Sequence, residues 1–313
     1  MTPIAAFDIW PDGTARRADD TAPRAADGAA YRWIHCDLDD PGLRDWAHTA
    51  LPAQAAGALV QGETRPRCDT LGTGLILNLR GVNLNPGADT EDMVSLRLWA
   101  DTGLIVSVRK RRIFAVDAVR QALDAGRGPA STAAWIETVA EGLTHRIEAA
   151  IADMEDTSDT LEEALLDGEP CADQLGPLRR KLIKLHRFLA PQREALRRLA
   201  SADVVVPAQR SGLRESANRA ERALETLTML TDRAKAMQDQ IHIENAERMS
   251  RNGMLLSIVA SVFLPLGFIT GLFGVNLGGM PGASSALGFL VLSVSCAIIA
   301  LLLLWLFRKL GWF

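Results

Sequence analysis

The chain has 313 residues, with 34 Lys and Arg against 38 Asp and Glu and a formal net charge of −4. That length suits about two domains, or one domain with an appendage, and the slightly acidic balance argues against a nucleic-acid binder, which carries a basic face. The charges are unevenly spread: no Asp, Glu, Lys or Arg occurs from Asn252 to Phe307, which excludes a water-soluble protein of a single compartment.

Residues 1–130 alternate short β-like runs with turn clusters. The expected strands are Ile4–Ile9, Tyr31–Cys36, Gly74–Leu79, Met93–Trp99 and Leu104–Val108, with Val94, Leu96 and Leu98 alternating against polar neighbours. Helical stretches such as Pro41–Ala50 and Val116–Ala125 fall between or after them, so this part reads as a small α/β domain.

From Thr132 the period changes. Ile136, Val139, Leu143, Ile147 and Met154 follow helical 3/4 spacing, and after the break at Gly168-Glu169-Pro170 so do Leu175, Leu178, Leu182, Leu185 and Leu189. Residues 131–206 are therefore expected to form a helical hairpin. Pro207 stands where a third helix starts, and only Gly212 interrupts the helical pattern beyond it. Residues 207–253 should form a stalk helix running on into the apolar segment, about 65 residues in all and about 100 Å long at the helical rise.

Two apolar runs, Met254–Phe273 and Ala286–Phe307, each have about the 20 residues that a helix needs to cross a bilayer. The turn formers of residues 274–285 between them predict an antiparallel hairpin. Arg248 and Arg251 precede the first span, Arg308 and Lys309 open the tail 308–313, and the connecting loop has no charge. By the positive-inside rule both ends are cytoplasmic and the loop faces out, with Trp305, Trp312 and Phe313 as an inner aromatic belt. Met1–Trp10 lacks a basic segment and a sustained apolar core, so no signal peptide is expected and the part before the spans should fold in the cytoplasm. Cys36, Cys68, Cys171 and Cys296 form no CxxC pair and are expected as free thiols.

Two helices enclose no lumen, so conduction would require a ring of copies. On the first span, Gly253, Leu256, Ser257, Ala260, Leu264, Gly267 and Gly271 recur at helical spacing, most of them small. A small-residue stripe serves either a lumen or close packing of helices. Leu256 and Leu264 could form constrictions that gate by dewetting. The second span, with Leu301–Leu304 at its inner end, reads as lipid-facing. Pro265 cannot donate to the carbonyl of Ser261, which then needs water or protein.

Phe273-Gly274-Val275-Asn276 at the end of the first span resembles the Gly-Met-Asn signature of the CorA-type divalent-cation transporter superfamily. The loop with Gly278-Gly279-Met280-Pro281-Gly282 is most similar to its zinc-transporting branch. The resemblance covers the whole chain. It implies a funnel-shaped homopentamer in a bacterial inner membrane, with a cytoplasmic α/β domain, stalk helices, pore-lining first spans and a ring of Asn276 at the outer mouth. It also implies that Zn2+ is carried, by proton coupling in that branch, with Mg2+, Co2+ or Ni2+ as the alternatives.

Such a ring would present neutral oxygens to a hydrated ion, and Gly274 would permit a tight helix exit. Two departures matter. Position 275 is Val, where the signature has Met, and the loop lacks the acidic residue of the magnesium branch, so capture would rest on dipoles. No His or acidic side chain lies in the spans, which leaves Asp239, His242 and Glu244 at the cytoplasmic end as coupling or metal-receiving residues. Asp239 and His242 could equally be a solvated or intersubunit face.

Ten acidic residues from Glu148 to Asp173 fall in a stretch without Lys or Arg. They read either as a cation-attracting collar or as a solvated face that requires positive charge nearby. Arg109-Lys110-Arg111-Arg112 could meet such acids across a subunit boundary or be solvated. His35, His145 and His186 show no metal-ligand spacing. With no nucleophile motif, P-loop or dinucleotide fingerprint, neither an enzyme nor a resident cofactor is expected. The expected partners are membrane lipid, divalent cations, protons and further copies of the chain, not nucleic acid. The rival reading is a non-conducting, membrane-anchored scaffold or sensor.

Overall fold

The central strands within the first 110 residues are buried at nearly every position because both faces of their sheet are covered. The computed structural model describes residues 1–202, 207–275 and 285–311. The chain divides into two units, Met1–Met237 and Gln238–Phe313.

In the first unit the strands are β1 (Ala5–Ile9), β2 (Ala15–Arg17), β3 (Tyr31–Asp37), β4 (Arg67–Leu71), β5 (Gly74–Gly81), β6 (Val94–Ala100) and β7 (Leu104–Arg109). They form one seven-stranded sheet in the order β2-β1-β3-β7-β6-β5-β4. All pairs are antiparallel except β3 with β7, whose register sets Trp33 beside Ile105 and Cys36 beside Val108. Two strands that no alternating pattern marks, β2 and β4, are the two edges. An edge strand with one covered residue, as Cys68 is in β4, has no period to read.

Alternation along β3 splits the core. Trp33 joins Phe7, Leu77, Leu98 and Ile105 on one face, under Trp135, Ile136, Leu196 and Leu213 of the long helices. Ile34 and Cys36 join Val106 and Trp99 on the other face, under α1 (Leu43–Ala50) and α2 (Ala53–Leu59). On the helical side Trp33 stacks on Phe7 at 6.1 Å and meets Trp135 at 5.2 Å.

After α3 (Phe114–Asp124) come α4 (Thr132–Leu166) and α5 (Ala172–Ser201). Ser131 caps α4, its hydroxyl accepting from the Ala134 N–H at 3.2 Å. At the other end Gly168 takes a φ of +74°, and the Glu169 N–H returns to the Ala164 carbonyl at 2.8 Å. This left-handed glycine closure stops α4 where Pro170 also forbids continuation. The helix α6 spans Pro207–Phe273, and at Gly212 the Glu137 carboxylate occupies the space a Cβ would take, so a larger residue there would displace that side chain.

The acidic stretch receives its positive charge from α6. Arg219 grips Glu148, with its Nε at 2.9 Å from one carboxylate oxygen. Arg233 pairs with Glu162 and donates to Asp159 at 2.7 Å. Asp153, Asp156, Glu163 and Asp167 stay exposed.

Part of the basic run is engaged within its own chain, while Lys110, Arg111 and Arg112 remain exposed. Arg109 and Arg112 turn onto the buried Asp117 of their own chain, joined by Arg120, and Lys110 lies 4.0 Å from Asp39. A buried carboxylate requires cations close by, so two of the four basic residues are used inside the protomer.

Candidate functional site

The second unit holds the rest of α6 and α7 (Gly288–Lys309). Both helices are long and apolar enough to cross a membrane. Each has one covered stripe. On α6 it comprises Ile258, Ser261, Val262, Pro265, Leu266 and Ile269; on α7 it is Leu292, Cys296, Ile299, Leu303 and Phe307. The 3- and 4-residue intervals are those of a single helix face.

Gly253, Leu256, Ser257, Leu264, Gly267 and Gly271 are exposed, and Ala260 is half-buried. At about 100° per residue this set is centred about 160° from the covered stripe of α6, almost opposite it. Leu256 and Leu264, both 71% exposed, are the bulky residues on an otherwise small-residue face. One chain therefore leaves this face without a cover, as a helix does when it awaits water, lipid or another copy.

Pro265 sits inside α6, so it gives no helical N–H to the Ser261 carbonyl. A turn later the Thr270 hydroxyl donates back to the Leu266 carbonyl at 2.9 Å. At the helix exit the Gly274 N–H reaches the Gly271 carbonyl at 3.2 Å. A Cβ at Gly274 would stand 3.0 Å from the Thr270 carbonyl oxygen and would crowd it. Val275 is about half exposed. Asn276, the loop residues up to 284, Trp312 and Phe313 lie outside the described residues.

Asp239 and His242, three residues apart on α6, are both exposed. Counting back along the helix at about 100° per residue, both fall on the open face. The Nε2 of His242 lies 3.4 Å from the Gln238 side-chain nitrogen. Glu244 is engaged locally, accepting from Gln240 at 3.1 Å with Arg248 at 3.9 Å. Among the described residues no three His, Cys, Asp or Glu side chains converge to hold a metal within one chain. A metal-receiving role for Asp239 and His242 would have to use several copies.

His35 is a core histidine. Its Nδ1 lies 2.8 Å from the Ser107 hydroxyl, which accepts from the Trp33 indole N–H at 2.8 Å. The Nε2 of the ring is buried without a hydrogen-bond partner among the described residues. Burial, reinforced by the charge of Arg109, pushes its pKa down to about 3. At the inner end of α7, Lys309 lies over the Trp305 ring at 5.3 Å, an aromatic and basic pairing suited to a membrane interface.

A mixed-sheet domain, a very long helix, a second membrane-length helix and a small-residue face on the first define an integral membrane protein with a large soluble part. Comparison with known proteins narrows the class. The chain matches the family model described as CorA-like Mg2+ transporter protein over residues 28–309. It is 34% identical to the zinc transport protein ZntB of Yersinia pestis over 285 residues, covering 90% of this chain and 87% of that one. It is 38% identical to the divalent cation transporter CmaX of Pseudomonas aeruginosa over 288 residues, with the same coverage. The solved structure of full-length CmaX superimposes with a TM-score of 0.82 at 34% identity, covering 99% of this chain and 98% of that one. The protein belongs to the CorA-like transporter family.

Proposed function

We propose that the protein transports divalent cations across the bacterial inner membrane, with zinc as the favoured substrate ion, through a pore built by five copies. The observation that carries this reading is the open face of α6. A stripe of small residues, nearly opposite the covered stripe, leads directly into Gly274-Val275-Asn276. Family membership over residues 28–309 supports it, as do relatives whose names are zinc and divalent-cation transporters.

In the pentamer the stripe from Gly253 through Ser257, Ala260 and Gly267 to Gly271 lines the pore. Small side chains leave room for a hydrated ion, while Leu256 and Leu264 narrow the path and gate it by dewetting. Asn276 rings the outer mouth and offers amide oxygens to the waters of the ion. Outer-loop residues 274–285 carry no carboxylate, so a hard, tightly hydrated ion such as Mg2+ finds no charged acceptor there, and zinc is favoured.

The termini and the sheet domain are cytoplasmic, as the Arg and Lys flanking both spans direct. Uptake follows the proton gradient, with Asp239 and His242 of the five copies receiving the ion and the proton at the inner end.

The test is metal entry into proteoliposomes holding the full chain, with Zn2+, Mg2+, Co2+ and Ni2+ compared with and without a pH gradient. Zinc entry that follows the gradient and is lost in Asn276→Ala is expected. Flux of magnesium indifferent to pH would overturn the choice of ion, and no flux from a pentameric preparation would favour a scaffold. If Asp239→Asn with His242→Ala left the pH dependence intact, the coupling site would lie elsewhere.

A further inference from the structure

A cleft of the first unit lies on the sheet, far from any proposed pore residue in sequence. It encloses about 840 Å³ beside β5 and β6, and Arg65, Arg80, Arg97, Arg111 and Arg187 reach it. Three carboxylates also line it. Lys184 pairs with Asp92 at 2.8 Å and lies 3.9 Å from the buried Glu91, whose Oε2 has no hydrogen-bond partner among the described residues. Arg67 and Lys110 line it too, each beside a carboxylate outside the cleft, Asp69 at 3.5 Å and Asp39 at 4.0 Å; among the described residues only Glu63 then faces the other five guanidiniums without a basic partner within 4.0 Å.

Two of those guanidiniums are held in an unusual manner. Arg97, 2% exposed, donates from Nε to the Gln61 carbonyl at 2.9 Å and from Nη2 to the Gly62 carbonyl at 2.7 Å. Its Nη1 is buried with no hydrogen-bond partner among the described residues. Arg80 donates to the Met93 and Thr64 carbonyls at 2.9 and 2.7 Å and stacks at 4.1 Å over Phe188, while its buried Nε is likewise unpartnered.

Neutral carbonyls fix these side chains without cancelling their charge. The contrast with Arg32 is direct. There the fold buries an arginine for structure and neutralises it with Asp8 at 2.7 Å and with Asp20. At Arg80 and Arg97 it leaves a half-buried and a buried cation whose fields oppose each other. Burial, and for Arg80 the charge of Arg97, weakens the hold of each on its proton. An unpartnered N–H on a buried cation is costly, and a fork of guanidinium donors matches the paired oxygens of phosphate.

We propose that this cleft binds a polyphosphate chain, free or carried by a nucleoside. Its volume falls in the range of small-molecule sites. Arg80 and Arg97 form the fixed, positively charged floor, and the exposed Arg65, Arg111 and Arg187 close over the phosphate charges. The site is independent of the ion path and of the choice of transported ion.

The test uses the full chain in detergent with a chelator present, so that no metal bridges ligand and protein. Tripolyphosphate, ATP, adenosine and sulfate are titrated by calorimetry. Saturable binding of tripolyphosphate or ATP, one per chain, is expected, with sulfate and adenosine inert at the same concentrations. ATP tighter than tripolyphosphate marks a nucleotide site; equal affinities mark a site for the chain alone.

Arg65→Gln, Arg111→Gln and Arg187→Gln combined should weaken binding at least tenfold. These exposed positions leave the floor intact, and an unchanged unfolding temperature checks that the fold survives. Absence of saturable binding, sulfate binding as tightly as the polyphosphates, or a triple variant with undiminished affinity would each overturn the proposal.

Discussion

The side-chain amide of Gln192 pairs with the backbone of Arg80 as a neighbouring strand would. Its Nε2 donates to the Arg80 carbonyl at 2.8 Å and its Oε1 accepts from the Arg80 N–H at 2.7 Å. The register of β4 on β5 ends at Arg67 opposite Asn78, so beyond that point one edge of β5 has lost its partner. A residue of α5, 1% exposed, completes the ladder and docks the helix on the sheet.

Gln192→Leu keeps the bulk but leaves a buried N–H and a buried carbonyl unpaired. At about 1–3 kcal/mol for each of the two unsatisfied groups, the variant should lose about 2–6 kcal/mol. Thermal unfolding of the full chain in detergent would register this as a drop of several degrees. An unchanged midpoint would mean that water satisfies both groups and that the amide is dispensable.

The pH response of the soluble part should carry the mark of His35. In the folded chain its pKa is about 3, whereas an unfolded histidine titrates near 6.5. Below about 6.5 the unfolded chain gains a proton that the folded one refuses until about pH 3. The stability due to a neutral His35 is therefore complete above that upper value and is lost as pH falls, by about 1.4 kcal/mol per unit. His35→Asn keeps an acceptor for the Ser107 hydroxyl but cannot titrate. The gap in unfolding temperature between pH 8 and pH 5 should be smaller in this variant than in the parent. An equal gap would assign the acid sensitivity to other groups.

Legibility in the sequence depends on the range of each interaction. Central strands β3, β5, β6 and β7 are recognisable because each buries a run of consecutive residues. Edges β2 and β4, and the Ala-rich α2, hold too few covered large residues to mark themselves. The stripe on α6 is a matter of local period and is visible in a single helix. Its opposite, covered stripe becomes evident only with the structure. The ion pairs of the acidic stretch are out of reach for the same reason: Arg219 and Glu148 are 71 residues apart. The arginine cleft draws on positions from 65 to 187 and has no local trace.

Those long-range pairs predict a salt-dependent link between α4 and α6. Arg233, partly exposed, holds Asp159 and Glu162. Arg233→Gln should cost up to about 1 kcal/mol at low ionic strength, with the difference fading as salt screens the pair in the parent. Unfolding midpoints of both proteins at low and high salt would measure it. A loss that persisted unchanged at high salt would point to packing by the arginine stem instead of its charge.

The open face of α6 separates a water-lined pore from a surface facing lipid or a helix. Single cysteines at Ser257, Ala260 and Gly267 should react with a membrane-impermeant, water-soluble thiol reagent in the assembled protein, because those positions meet water. Cysteines at Val262 and Ile269, on the covered stripe, should not. The native background is low in the soluble part: Cys36, Cys68 and Cys171 are all buried, and burial pushes the Cys36 and Cys68 thiols up to about 12, so they hold little thiolate at neutral pH. Cys296, on α7, is replaced by Ala in every variant. Reaction at the open positions, slowed by added zinc, would tie the face to the ion path. Equal protection of both faces would mean that the small residues serve helix packing.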